Sequence, residues 1–149
     1  MGEKSALMFL GEYGYVIDKK GRVAIPPRLR QEFEAGIVLS RGFDKCIIVY
    51  PLHEWQKLAE KLTALPFTRS NNRRLNRGIF GNAFPMELDR QGRVGLPLPL
   101  REHAEIDNEV VIVGGHNYLE IWSRELWLPE KALVDEQLGQ IAEMVEVRG

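Results

Sequence analysis

Two acid–base pairs recur at one spacing in the chain: Asp18 with Arg22, and Asp89 with Arg93. In each, a glycine (Gly21 or Gly92) stands just before the arginine. An aspartate can fold its carboxylate back onto backbone N–H groups of a turn, and a glycine tolerates positive φ. Asp and Arg then sit at the two shoulders of one tight turn, within reach of each other. Such a pair has two uses. As an exposed ion pair it pins the turn, for less than about 1 kcal/mol. As an arginine held in a fixed pose it meets a phosphate or the edge of a guanine. Lys19 and Lys20 beside the first pair, and Arg90 beside the second, add cations suited to phosphates.

The pairs belong to a longer repeat. Ile17–Arg30 returns as Leu88–Arg101, shifted by 71 residues, with seven of fourteen positions identical. Chance would give about one identity in such a window at ordinary residue frequencies. An internal repeat of this kind sets the architecture, so it is read before any single element.

The elements that position the pairs follow from the pattern of apolar residues. Tyr15 and Ile17 lead into the first turn, and Val23 and Ile25 lead out, with period-two spacing. Met86, Leu88, Val94 and Leu96 occupy the same places in the second copy. Alternation buries Val23 and Ile25, so Arg22 points the other way, as does Arg93. Pro26 and Pro97 end their strands because neither can donate a ladder hydrogen bond. Pro27 suits the first position of a short helix ending at Phe33. In the second copy Leu98-Pro99 replaces Pro27-Arg28, which removes one cation and predicts a later helix start.

Each repeat is followed by two strands and a helix. Ile37–Ser40 and Cys46–Tyr50 form the first pair, Val110–Val113 and Tyr118–Trp122 the second. Met8–Tyr13 is an apolar lead that opens a sheet. Pro51-Leu52-His53-Glu54-Trp55 matches Ser123-Arg124-Glu125-Leu126-Trp127, so each strand pair runs into a helix with Trp at the same place. Leu52, Trp55, Leu58, Ala59 and Leu62 form an apolar stripe. Between the halves, Leu75, Ile79 and Phe80 mark a short helix whose other side carries Arg69, Arg73, Arg74 and Arg77. That basic side is either a solvated face or part of a phosphate-facing surface. In the last helix Val134, Leu138, Ile141 and Val145 form a seam that packs either within the chain or against another subunit.

Composition narrows the class. The chain has 149 residues, 44% hydrophobic and 28% charged, and one cysteine. These values are ordinary for a globular protein of one domain or two small ones. Cys46, in a strand entry, reads as a packed thiol. No apolar run reaches membrane-spanning length and no secretory signal is evident, so a cytosolic home is expected. The net charge of −1 hides an asymmetry: residues 1–50 carry +2, residues 51–100 carry +4 and residues 101–149 carry −7. The cations gather around the two turns and the connector.

Two copies of a β unit built on Asp-x-x-x-Arg, each followed by strand, strand and helix, resemble the MraZ family of tandem SpoVT-AbrB domains. The resemblance runs from Met8 to the last helix. It rests on Met8-Phe9-Leu10-Gly11-Glu12-Tyr13, Asp18-Lys19-Lys20-Gly21-Arg22 with Ile25-Pro26, Val49–Trp55, and Leu88–Arg93. Residues 1–7 precede the family's usual start. The resemblance implies a mainly β fold, an AbrB-like swapped-hairpin β-barrel in which two tandem repeats pair within one chain, with added α-helices. On that plan residues 8–55 form the first SpoVT-AbrB domain and 56–81 a helical connector. Residues 82–127 form the second domain, and 128–149 a C-terminal helix.

The resemblance further implies a cytoplasmic, nucleoid-associated transcription factor. It would bind double-stranded DNA at G-rich direct repeats upstream of its own gene, at the head of a division and cell-wall gene cluster. It would act as a homo-oligomeric, octamer-like ring. Asp18, Arg22, Asp89 and Arg93 inherit the DNA-site role, with Lys19, Lys20 and Arg90 beside them. No cofactor, metal site, membrane contact or small-molecule substrate is expected. The sequence offers no paired carboxylates in a plausible pocket, no metal-ligand spacing and no nucleophile beside a base, so catalysis is not expected. His53, His103 and His116 lie in unrelated contexts, and His116 reads as a turn residue. A competing reading is a module that covers a toxin protein with its acidic C-terminal third.

Overall fold

A computed structural model describes residues 8–145. In chain order the elements are β1 (Glu12–Val16), β2 (Arg22–Ala24), a 3₁₀ helix (Pro27–Phe33), β3 (Ile37–Arg41), β4 (Ile47–Pro51), α1 (Leu52–Thr63) and α2 (Ser70–Phe80). Then follow β5 (Ala83–Met86), β6 (Arg93–Gly95), α3 (Leu98–Ala104), β7 (Glu109–Gly114), β8 (Leu119–Ser123) and α4 (Arg124–Met144). Residues 1–7, which precede the family's usual start, lie outside the described residues.

The repeat in sequence becomes an exchange in space. A six-stranded antiparallel sheet runs β1-β7-β8-β4-β3-β5, and a two-stranded sheet pairs β2 with β6. The first half therefore lends β1 to β7, and the second half lends β5 to β3. The arms of each hairpin do not pair along their length with each other. Near the first turn the Asp18 N–H donates to the Arg22 carbonyl at 2.9 Å, after which the arms separate and seek strands from the other half. Neither half can bury its own apolar face alone, so the swapped-hairpin fold is one cooperative unit.

The core follows the predicted alternation. Val23 pairs in register with Val94 across β2–β6. Val23, Ile25, Val94 and Leu96 are buried in one cluster with Ile47, Val49, Leu119 and Ile121 from the six-stranded sheet. The residues between those, such as Ile48, Tyr50 and Glu120, face the opposite side of the sheet.

Both repeats turn into a short helix at Pro26 or Pro97. The first helix begins with Pro27, where a missing N–H leaves no bond unmade. The second begins at Leu98, the position equivalent to Pro27, and not later as its sequence suggests. Pro99 lies in the first turn, where the same absence of an N–H is harmless, and the preceding Pro97 is extended with φ −56° and ψ 140°. The equivalence of the two copies thus survives the substitution.

The matched tryptophans dock the helices. Trp55 of α1 packs on Tyr50 with ring centroids 5.6 Å apart, and edge-on against Phe80 of α2 at 5.7 Å. Trp127 of α4 packs on Trp122 at 5.5 Å. Ser123 accepts the Leu126 N–H at 3.4 Å as α4 begins. Further along, α4 leaves the body. Val134, Leu138, Ile141 and Val145 are exposed, so the described chain does not cover this seam. Cys46 is buried, with its thiol pKa pushed up by burial and by the charges of Glu120 and Asp44. His116 takes φ 78° beside Phe9, as a turn residue does. Among the described residues no helix is long and apolar enough to cross a membrane.

Candidate nucleic-acid interface

The exchange of strands sets the two Asp-x-x-x-Arg turns side by side. In the first, Asp18 Oδ1 accepts the backbone N–H groups of Lys20 and Arg22, both at 2.9 Å. Asp18 Oδ2 accepts Nε–H of Arg22 at 2.8 Å. The second turn repeats this pattern: Asp89 Oδ1 accepts from Gln91 and Arg93 at 2.9 Å, and Oδ2 accepts from Arg93 Nε at 2.9 Å. Gly21 and Gly92 both take φ 75°. Each turn also clasps the strand of the other: the Leu96 N–H donates to the Gly21 carbonyl, and the Ile25 N–H to the Gly92 carbonyl, both at 2.9 Å.

The four charged side chains form one cluster. Arg22 Nη1 stands 3.7 Å from Asp89 Oδ2, and Arg93 Nη1 stands 3.5 Å from Asp18 Oδ2. All four are about 30% exposed, so each guanidinium is oriented yet reachable from solvent. The short bond at Nε sets the plane of each guanidinium, while the Nη1 contacts to the opposite acid are longer. The end of the fork is therefore the part left for another acceptor. Lys19, Lys20 and Arg90 are exposed at the tips.

Comparison with known proteins places this chain in a family. A family model described as the MraZ protein, antitoxin-like, matches residues 8–78 and again 79–136. The chain belongs to the MraZ family. It is 47% identical over 140 residues to a transcriptional regulator MraZ of Dehalococcoides mccartyi, covering 93% of this chain and 99% of that protein. It is 44% identical over 142 residues to the transcriptional regulator MraZ of Halothermothrix orenii, covering 95% and 99%. A third such regulator, from Moorella thermoacetica, is 46% identical over 136 residues, covering 91% and 95%.

In this MraZ-family chain the two carboxylates are held ionised. Backbone N–H bonds from Arg22 and Lys20, together with the Arg22 guanidinium, draw the Asp18 pKa below its ordinary value against a smaller opposing effect of burial. Asp89 is lowered for the same reasons by Arg93 and Gln91. A carboxylate whose folded pKa is depressed stabilises the native state above its unfolded pKa, and that contribution is lost as pH falls through the folded value. Carboxyl carbon NMR titration should therefore find Asp18 and Asp89 titrating below a typical exposed aspartate. Arg22→Gln should move the Asp18 titration back up. An ordinary midpoint for both acids would mean that the cluster does not form in solution.

Two residues of the candidate site escape a reading by pair spacing. Arg30 Nε donates to the Ile25 carbonyl at 2.8 Å, and Arg101 Nε donates to the Leu96 carbonyl at 2.9 Å. From there Arg101 lies over Gly21, and Arg30 lies over Gly92, so each turn is backed by an arginine of the opposite half. The signal was present in the repeat, where Arg30 and Arg101 are its last identity. The connector arginines do not join them. Leu75 and Ile79 of α2 share a cavity with Ile48, Tyr50 and Glu120, on the sheet face away from the paired turns. Arg69, just before α2, and Arg73, Arg74 and Arg77 on it are exposed, and Arg73 donates to the Phe67 carbonyl at 2.8 Å.

Proposed function

We propose that this chain is a transcriptional regulator that binds double-stranded DNA through its paired turns, as a ring-shaped homo-oligomer. The observation that carries the reading is the joining of both Asp-x-x-x-Arg turns into one cluster with exposed cations at its tips. Asp18 aims Arg22, and Asp89 aims Arg93, toward guanine O6 and N7. Lys19, Lys20 and Arg90 engage phosphates and set the register. One subunit offers few DNA-binding groups, so repeated DNA sites are held by avidity across subunits. This reconciles DNA binding with a net charge of −1. The uncovered apolar edge of α4 at Leu138 and Ile141 supports assembly with further copies. The resemblance supplies the rest of the proposal: G-rich direct repeats upstream of the chain's own gene, before division and cell-wall genes, in the cytoplasm at the nucleoid.

Fluorescence anisotropy with the chain's own upstream duplex, read across a salt series, tests this proposal, with light scattering to follow the oligomer. Lys20→Ala and Arg90→Ala should each weaken binding to specific and scrambled duplexes alike. Each should also reduce the slope of log affinity against log salt by about 1 for each phosphate no longer neutralised. Unchanged slopes in both variants would take phosphate binding away from the tips. A specific complex formed by a lone subunit would remove the ring from the proposal.

A further inference from the structure

The sheet face away from the paired turns carries a second feature that DNA binding leaves unused. Ile47, Val49, Leu119 and Ile121 fill the core beneath the turns, so Ile48, Tyr50 and Glu120 emerge on the other side. α1 and α2 cover that side incompletely. Between Leu58 and Leu62 of α1, Leu75 and Ile79 of α2, and the sheet lies a cavity of about 390 Å³. Sites for small molecules typically span roughly 300–1,000 Å³. Phe43, 87% exposed, stands at its rim.

The lining has a definite chemical character. Tyr50 and Tyr118 form one wall, their ring centroids 6.1 Å apart and their planes tilted by 54°. Burial pushes the Tyr50 phenol up to about 12 and raises that of Tyr118, and it raises the Cys46 thiol as well. These three groups are neutral at pH 7. Glu120 brings a carboxylate to the same cavity. Its Oε1 accepts from Trp122 Nε1 at 2.9 Å, and among the described residues it makes no ion pair. Burial raises its pKa, and the charges of Asp44 and Glu130 raise it further. Arg41 lines the rim without pairing to it. A partly desolvated carboxylate without a counter-charge is costly, and a ligand that supplies one gains that energy on binding. Aromatic faces next to a carboxylate suit an organic cation, which the rings attract through their quadrupoles.

We propose that this cavity binds a small organic amine, whose ammonium meets Glu120 and the tyrosine faces while its apolar body packs between α1 and α2. An anion is disfavoured by Glu120 and Asp44. A bare metal ion would find few ligands, since among the described residues no three His, Cys, Asp or Glu side chains gather.

Isothermal titration of the full chain with 2-phenylethylamine, and with its neutral counterpart 2-phenylethanol, tests the proposal at pH 7. The amine should bind at least about tenfold more tightly, the equivalent of about 1.4 kcal/mol. Glu120→Gln keeps the shape of the floor, and it should erase that preference while leaving the alcohol unchanged. Tyr118→Leu should weaken the amine more than the alcohol, which gives a second reading if the Glu120 variant folds poorly. Leu75→Trp should fill the cavity and abolish both. Glu120→Gln should leave affinity for the upstream duplex at the wild-type value, since Glu120 lies on the other face. Equal affinity for the two probes, no detectable heat from the amine, or an unaltered preference in both Glu120→Gln and Tyr118→Leu would overturn the proposal.

Discussion

Replacing Arg22 with alanine is expected to cost specific DNA affinity at least about a hundredfold while leaving the fold in place. The two effects separate because the turn does not depend on the guanidinium. Asp18 Oδ1 still accepts the backbone N–H groups of residues 20 and 22, and position 22 still pairs with Gly95 across β2–β6. Losing a partly exposed ion pair costs under about 1 kcal/mol. The DNA term is larger: a well-placed arginine on guanine discriminates by roughly 1–3 kcal/mol, and repeated subunits compound the loss through avidity. The change also leaves Asp18 and Asp89 sharing only Arg93, which raises the negative potential where a phosphate backbone must approach. Arg22→Lys sharpens the test. It keeps the charge and loses the fork, so binding to scrambled DNA should persist while the preference for the upstream site falls. Arg93→Ala then reports whether the second turn shares the reading. Wild-type affinity in Arg22→Ala and Arg93→Ala, with intact oligomers, would return both pairs to the role of turn pins.

The elements were legible in the sequence, but their partners were not. Period-two apolar spacing marked the arms around both turns, and Val23, Ile25, Val94 and Leu96 are buried as that spacing requires. The same spacing is silent on which strand lies alongside. Alternation tells a strand which face to bury, and the resemblance alone carried the exchange of β1 and β5 between halves. The contact between Asp18 and Arg22 followed from turn geometry. The crossed contacts, Arg22 with Asp89 and Arg93 with Asp18, arise only once the exchange brings the turns together. Pro99 misled for a local reason: a proline in the first turn of a helix reads as an interruption, although the N–H it lacks has no acceptor there. Arg73, Arg74 and Arg77 share α2 with Leu75 and Ile79, whose docking turns the helix toward the other face. The charge of Glu120 likewise gained meaning only when β4–β8 pairing set it opposite Ile48, beneath two helices.

Gly92→Ala is expected to destabilise the protein by about 2–3 kcal/mol, and Gly21→Ala by about 1–2 kcal/mol, although the two glycines are equivalent in the repeat. Both sit at φ 75°, where an L side chain costs about 1–2 kcal/mol. The difference lies in the arginines that back the turns. At Gly21 an added methyl would stand 3.1 Å from Cζ of Arg101, close enough to require a shift of a few tenths of an ångström at the end of a flexible side chain. At Gly92 the methyl would collide with Nε, Cζ and Cδ of Arg30. Arg30 must then swing away and give up its bond to the Ile25 carbonyl, a loss of about 1 kcal/mol. For a chain of 149 residues, about 2–4 °C of midpoint per kcal/mol places the Gly92 variant roughly 5–10 °C below wild type in thermal unfolding. The double variant Gly92→Ala with Arg30→Ala removes the collision, so its cost should fall short of the sum of the single changes. Equal costs at the two glycines, or strict additivity with Arg30→Ala, would mean that Arg30 does not lie over the second turn in solution. A non-additive result would make Arg30 a support for the turn that carries Arg93, tying the first half of the chain to the interface built by the second.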